Sequence, residues 1–142
     1  MTRREMIKTT AIAALATVTA SAYDEKLVVN KEKMTPKDAK NMTKAELKHT
    51  PEITIGTKDT AGYTLIEVNI GQGGIIHPST KDHWIYEISL YADGNKVDSV
   101  NLEPSISRGY LGTRIKLDGI KELSATAKCN LHGDWTSTKS VS

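Results

Sequence analysis

Beyond about residue 50 the chain is built from short runs in which apolar and polar residues alternate, separated by Gly, Pro and Asp. A period of two places successive side chains on opposite faces of an extended backbone, so the pattern predicts strands. The expected strands cover 52–56, 63–70, a segment around 84–90, then 96–102, 113–117 and 123–129. In the third, Trp84, Tyr86, Ile88 and Leu90 are expected on one face, with Glu87 and Ser89 on the other. Asp93-Gly94-Asn95 turns that strand into the next as a hairpin, since Asp and Gly tolerate the positive φ of a tight turn. No stretch holds a helical period and no internal repeat is present. Thr35-Pro36 and the capping-box pattern Thr43-x-x-Glu46 can each open a short helical turn. The segment 23–43 is polar and Lys-rich and reads as an arm or irregular covering. About six or seven short strands in roughly 90 residues predict an all-β fold, an immunoglobulin-like antiparallel β-sandwich.

The first 22 residues follow another grammar. Arg3, Arg4 and Lys8 precede an uncharged Ala-, Thr- and Val-rich run from Thr9 to Ala22, closing on Ala20-Ser21-Ala22. That is the layout of a signal peptide with its small-residue cleavage site. A membrane span needs ~20 apolar residues, and this run is shorter and only mildly apolar, so no membrane anchor is expected. Arg3-Arg4 followed by x-Met-Ile-Lys resembles a twin-arginine export signal, which carries cargo already folded, often with a metal loaded. The expected division is a signal over 1–22, the arm over 23–43 and one domain over 44–142, located in the periplasm.

Composition narrows the chemistry by exclusion. The chain has 142 residues, 38% hydrophobic and 25% charged, which suits one globular domain. Its single cysteine, Cys129, excludes a disulfide scaffold, a CxxC redox pair, a four-cysteine zinc knuckle and a four-cysteine iron–sulfur cluster. The formal charge of +2 belongs to the leader; beyond residue 22 acidic and basic side chains balance. A neutral body offers no general attraction for phosphate, so nucleic acid is not an expected partner.

The chemistry is concentrated in five residues. His49, His77, His83, Cys129 and His132 account for every imidazole and the only thiol. They stand in three clusters: Lys48-His49-Thr50-Pro51, then His77-Pro78 through His83-Trp84, and Cys129-Asn130-Leu131-His132-Gly133. Each is expected in a loop or at a strand end, and loops at one end of a sandwich converge in space. Four imidazoles with a thiolate suit iron, copper or zinc rather than magnesium or calcium.

Lys-His-x-Pro, His-Pro-x-x-x-x-His-Trp-Ile and Cys-Asn-x-His-Gly-x-Trp, in that order, resemble the iron-binding domain of superoxide reductases, the neelaredoxin and desulfoferrodoxin family. The resemblance runs from about Lys44 to Trp135 and includes the stretch Ile85–Asn95 and Leu123–Lys128. It implies a mononuclear non-haem iron with His49, His77, His83 and His132 as equatorial ligands and Cys129 as the axial thiolate, the sixth position open. It also implies the one-iron form of the family, a homo-oligomer, superoxide as substrate and an external one-electron donor, rubredoxin-like or cytochrome-like. Cys129 and Lys48 are the implied catalytic residues: the thiolate pushes electron density through the metal, and the lysine draws the anion to the mouth.

One position departs from the family pattern. Members commonly carry Glu immediately before Lys-His, where it caps the oxidised metal, and Leu47 stands there. Glu46, one residue away, is expected to point elsewhere, leaving the oxidised centre without a carboxylate cap. Asp134 stands where the family commonly has an apolar residue and receives no role. Gly71-Gln72-Gly73-Gly74 lacks the Lys-Ser of a phosphate loop and is expected to shape the approach to His77. Two other readings compete. A blue-copper electron carrier would use two histidines, the cysteine and a methionine beyond the last ligand, yet every methionine precedes His49. A structural zinc module would need only four ligands.

Overall fold

The computed structural model describes residues 23–141, so the expected export signal lies outside the described residues. Eight strands form two sheets: β1 (Lys33–Met34), β2 (Pro51–Lys58), β3 (Thr64–Ile70), β4 (Ile85–Ala92), β5 (Asn95–Asn101), β6 (Tyr110–Ile115), β7 (Glu122–Cys129) and β8 (Gly133–Ser140). The larger sheet has the order β1-β8-β7-β4-β5 and the smaller β2-β3-β6. Every pairing is antiparallel except the two-residue contact of β1 with β8. The expected immunoglobulin-like sandwich is the observed fold. Among the described residues no helix is long and apolar enough to cross a membrane.

The core follows from the alternation. Ile66, Val68 and Ile70 of β3 meet Ile88 and Leu90 of β4 and Leu123, Ala125 and Ala127 of β7, all at most 3% exposed. Each buried Ile, Leu or Val side chain contributes about 1.5–3 kcal/mol relative to exposure, which holds the sheets together. The row Leu123, Ala125, Ala127 ends at Cys129, also a core member. The period that builds the core therefore carries the sulfur inward at the rim of the sandwich. At the other end of β4, Asp93 and Gly94 take φ of +46° and +82° and form the expected two-residue hairpin.

Four features differ from the sequence reading. The β4 ladder slips between Ile85 and Glu87, which pair with the consecutive residues Cys129 and Lys128. This bulge breaks the expected common face: Ile85, Ile88 and Leu90 enter the core, while Trp84 and Tyr86 turn to the arm and pack on Tyr23 at 5.3 and 5.7 Å. β8 was not expected because its only large apolar residue is Trp135; its strand arises from pairing with the whole of β7. The segment before residue 44 also adds β1, whose register sets Lys33 opposite Asp134 and Met34 opposite Trp135. Gly133 (φ +94°) permits this contact, since a Cβ there would lie 2.6 Å from the Glu32 carbonyl oxygen. No helical turn forms at Thr35-Pro36. The capping box at Thr43 does form and starts α1 (Lys44–His49).

Candidate metal centre

α1 delivers the first cluster. Thr43 Oγ1 accepts from the Glu46 backbone N–H at 3.2 Å, and Glu46 Oε1 accepts from the Thr43 N–H at 2.9 Å. Glu46 Oε2 accepts from the Lys37 N–H at 2.7 Å. The backbone bonds from Thr43 and Lys37 hold its carboxyl below the usual carboxylate range. With both oxygens engaged at the helix start, Glu46 is kept from the site. The segment is helical rather than extended, so capping, not strand alternation, is what turns it away.

The far end of α1 is clasped by the glycine run. Gln72 N–H donates to the Leu47 carbonyl at 2.8 Å, and a Cβ on Gly71 would lie 2.3 Å from the same oxygen. Only glycine allows that approach. The loop thus fixes His49 on one side before leading to His77, whose N–H reaches the Ile70 carbonyl at 3.4 Å.

The four imidazoles form a square. Ring centroids are 4.8 Å apart for His49–His77 and His77–His83, 5.0 Å for His83–His132 and 4.8 Å for His132–His49. The diagonal His49–His83 is 6.4 Å, and neighbouring planes stand at 69–78°. The donor atoms of His49, His83, Cys129 and His132 lie within 4.8 Å of one another, and His77 is not part of that compact group. The Cys129 sulfur stands 3.7 Å from His132 Nδ1.

Tautomers follow from the partners. His49 Nδ1 faces the Ala45 carbonyl at 2.7 Å and His77 Nδ1 the Pro78 carbonyl at 2.8 Å. A carbonyl only accepts, so each Nδ1 carries the proton and each Nε2 presents a lone pair. His77 Nε2 and His83 Nε2 are buried without a hydrogen-bond partner. His49 Nε2 points at His132 Nδ1 across 3.2 Å. Buried polar atoms are normally satisfied, and a set of lone pairs aimed at one another fits a cation between them.

The surroundings favour the neutral form of His49, His77 and His83. Burial pulls the His77 pKa down to about 3, and the neighbouring histidines add to the fall. Burial lowers His49 and His83 as well, with His132 and the Lys48 ammonium pushing the same way. Burial pushes the Cys129 thiol up, opposed by backbone N–H bonds from Leu131 and His132. A bound cation would displace that proton and be neutralised in part by the resulting thiolate.

Two residues beyond the predicted set shape the site. Trp135 stacks on His49 at 5.4 Å and 24°, and its indole N–H donates to the His132 carbonyl at 2.9 Å. Asn130 is fully buried between Cys129 and His132 in the chain. The spacing Cys-Asn-x-His-Gly-x-Trp contained both, but nothing in the residue types alone told their tasks. Asp134 sits outside the ring, its carboxyl raised by burial, opposite Lys33 and Lys128 in the strand registers.

The sequence model of the family described as desulfoferrodoxin matches residues 41–138. The superoxide reductase (neelaredoxin) of Ignicoccus hospitalis is 26% identical, TM-score 0.60, over 82% of this chain and 94% of its own. The one-iron superoxide reductase of Giardia intestinalis is 27% identical, TM-score 0.57, over 66% of this chain and 98% of its own. A superoxide reductase from Nanoarchaeum equitans, at 22% identity and TM-score 0.61, shares the fold. No curated protein sequence matches the chain.

Proposed function

The chain belongs to the desulfoferrodoxin family, and on that premise we propose that it is a superoxide reductase, converting superoxide, one electron and two protons into hydrogen peroxide. The observation that carries this reading is the square of four inward-facing imidazoles with the only thiol beside it. His49, His77, His83 and His132 would hold iron through nitrogen and Cys129 through sulfur. Ferrous iron bound there supplies the single electron that superoxide takes up.

The chain's own residues supply the rest. Cys129 belongs to the apolar core whereas His132 is exposed, so sulfur is offered from the protein side and the anion arrives from the solvent side. The N–H groups of Leu131 and His132 stabilise the sulfur as thiolate. Four neutral histidines leave the positive charge of a ferrous site only half cancelled by the thiolate, which favours an anionic substrate. Lys48, in the last turn of α1, adds a positive charge felt at both His49 and His83, and so draws superoxide to the mouth. Nothing on α1 replaces the missing carboxylate: Leu47 lies against Gly73, and Glu46 caps the helix.

The regenerating electron comes from a separate carrier, rubredoxin-like or cytochrome-like, and the protein works as a homo-oligomer. Residues 1–22 act as a twin-arginine signal that places the folded, metal-loaded protein in the periplasm. Mass spectrometry of the exported form should find Tyr23 at its amino terminus; an intact leader on exported protein would refute the cleavage. The activity is tested by stopped-flow mixing of the iron-loaded protein with superoxide while dissolved oxygen is followed. Peroxide without dioxygen is expected. Dioxygen at half the superoxide consumed would mean dismutation and overturn the proposal.

A further inference from the structure

Asn130 stands inside the Cys129–His132 loop, is fully buried, and has a role in neither the ligand set nor the core. Its carboxamide is fully engaged. Oδ1 accepts from the Trp84 backbone N–H at 2.9 Å, and Nδ2 donates to the Asp82 carbonyl at 2.8 Å and to the Leu27 carbonyl at 3.1 Å. Two of these partners are the residues on either side of His83. The backbone of Asn130 joins in, its N–H donating to the Trp84 carbonyl at 3.2 Å and its carbonyl accepting from Val29 N–H at 2.9 Å.

We infer that Asn130 is the positioning residue that sets the Cys129 sulfur against the His83 imidazole, and that residues 27–29 of the arm complete the metal site through it. The inference rests on the iron-site reading above. The side chain has to offer one acceptor and two donors within a small volume, which asparagine alone provides. Aspartate keeps the acceptor but faces two carbonyl oxygens with a negative charge; serine is too short to bridge all three. The turn that carries His83 is closed on its other side by Thr80, whose Oγ1 accepts from the His83 N–H at 3.0 Å and whose N–H donates to the His83 carbonyl at 2.9 Å. His83 is thus held in a closed turn that is tied to the end of the sulfur strand, beyond the β4–β7 ladder, by this side-chain amide and by the backbone bond from Asn130 N–H to the Trp84 carbonyl. Groups that orient ligands typically change metal affinity 10–100-fold on removal.

The test uses cobalt(II) added to metal-free protein, read by the sulfur-to-cobalt charge-transfer band, which reports thiolate geometry without superoxide chemistry. Asn130→Ser and Asn130→Asp should weaken cobalt binding about 10–100-fold and shift or weaken that band. Leu123→Ala, a core variant destabilised without touching the loop, should keep the wild-type band. Val29→Pro removes only the arm's donor to the Asn130 carbonyl at an exposed position, after a residue already extended (Val28, φ −84°, ψ 97°). It should weaken binding a few-fold, in the same spectral direction. Folded Asn130 variants with wild-type affinity and band would overturn the inference. If they do not fold, an unaltered Val29→Pro spectrum overturns it instead. Should cobalt bind as expected while wild-type protein fails to reduce superoxide, the functional proposal falls and the positioning role stands.

Discussion

The two ends of the sandwich are built from the same β4 and β7 but treat their polar groups in opposite ways. At the hairpin end Asp93 accepts from the N–H groups of Lys121 and Glu122 at 3.0–3.3 Å, and its own N–H reaches the Glu122 carbonyl at 2.9 Å. Donors and acceptors there answer one another, and the turn is closed. At the histidine end His77 Nε2 and His83 Nε2 are buried with no partner, and two further ring nitrogens face each other. A fold that satisfies its polar groups at one end and withholds satisfaction at the other marks the second as the place for a ligand.

The sharpest way to break that contrast is to remove the sulfur. Cys129→Ser should lower the rate of superoxide reduction by at least ~100-fold even with iron bound, measured by stopped-flow. A wild-type rate would strip the thiolate of its role. Acid should act next, on the metal-free protein. His77 stays neutral in the fold down to about pH 3, whereas the unfolded chain takes up the proton near pH 6.5. Above that pH both states are neutral and nothing changes. Between about 6.5 and 3 the unfolded state binds more protons, so stability falls as pH falls, by a few kcal/mol from this residue. His49 and His83 shift in the same direction. Urea unfolding of apo protein across this range should show the decline, and a flat profile would contradict the burial of His77.

The closed end offers the control. Asp93→Ala should cost about 1–3 kcal/mol of stability, from orphaned N–H groups and a positive φ that alanine resists, while cobalt affinity stays unchanged. Coupling of this variant to metal binding would mean the two ends are not independent. The smallest effect is expected from Lys48→Gln. Superoxide capture should slow by a few-fold and lose part of its dependence on ionic strength, since a surface charge steers rather than binds. An unaltered salt slope would remove Lys48 from the approach path.

Much of the molecule is legible from residue order alone. Period-two alternation reports the core strands β2, β3, β4, β6 and β7, because burying one face of a strand leaves that imprint whatever the rest of the chain does. The capping box reports the start of α1 for an equally local reason: its bonds join residues three apart. The five donor residues stand out by type and clustering. β1 and β8 do not, since their pairing is dictated by neighbours in space and each has only one large apolar residue, Met34 and Trp135. The bulge in β4 was illegible too, because alternation by itself cannot say where a ladder slips, and that slip decides that Trp84 serves the arm and Ile85 the core.

Sequence by itself determined the donors, their order and the fold that would gather them. Tertiary structure decided which lone pairs converge, that Glu46 is tied up in a helix cap, and that a single amide joins the sulfur strand, the His83 loop and the arm. The division has a physical cause. Local propensity and burial act on neighbours along the chain, whereas the orientation of a ring or an amide is set by partners as many as 103 residues away.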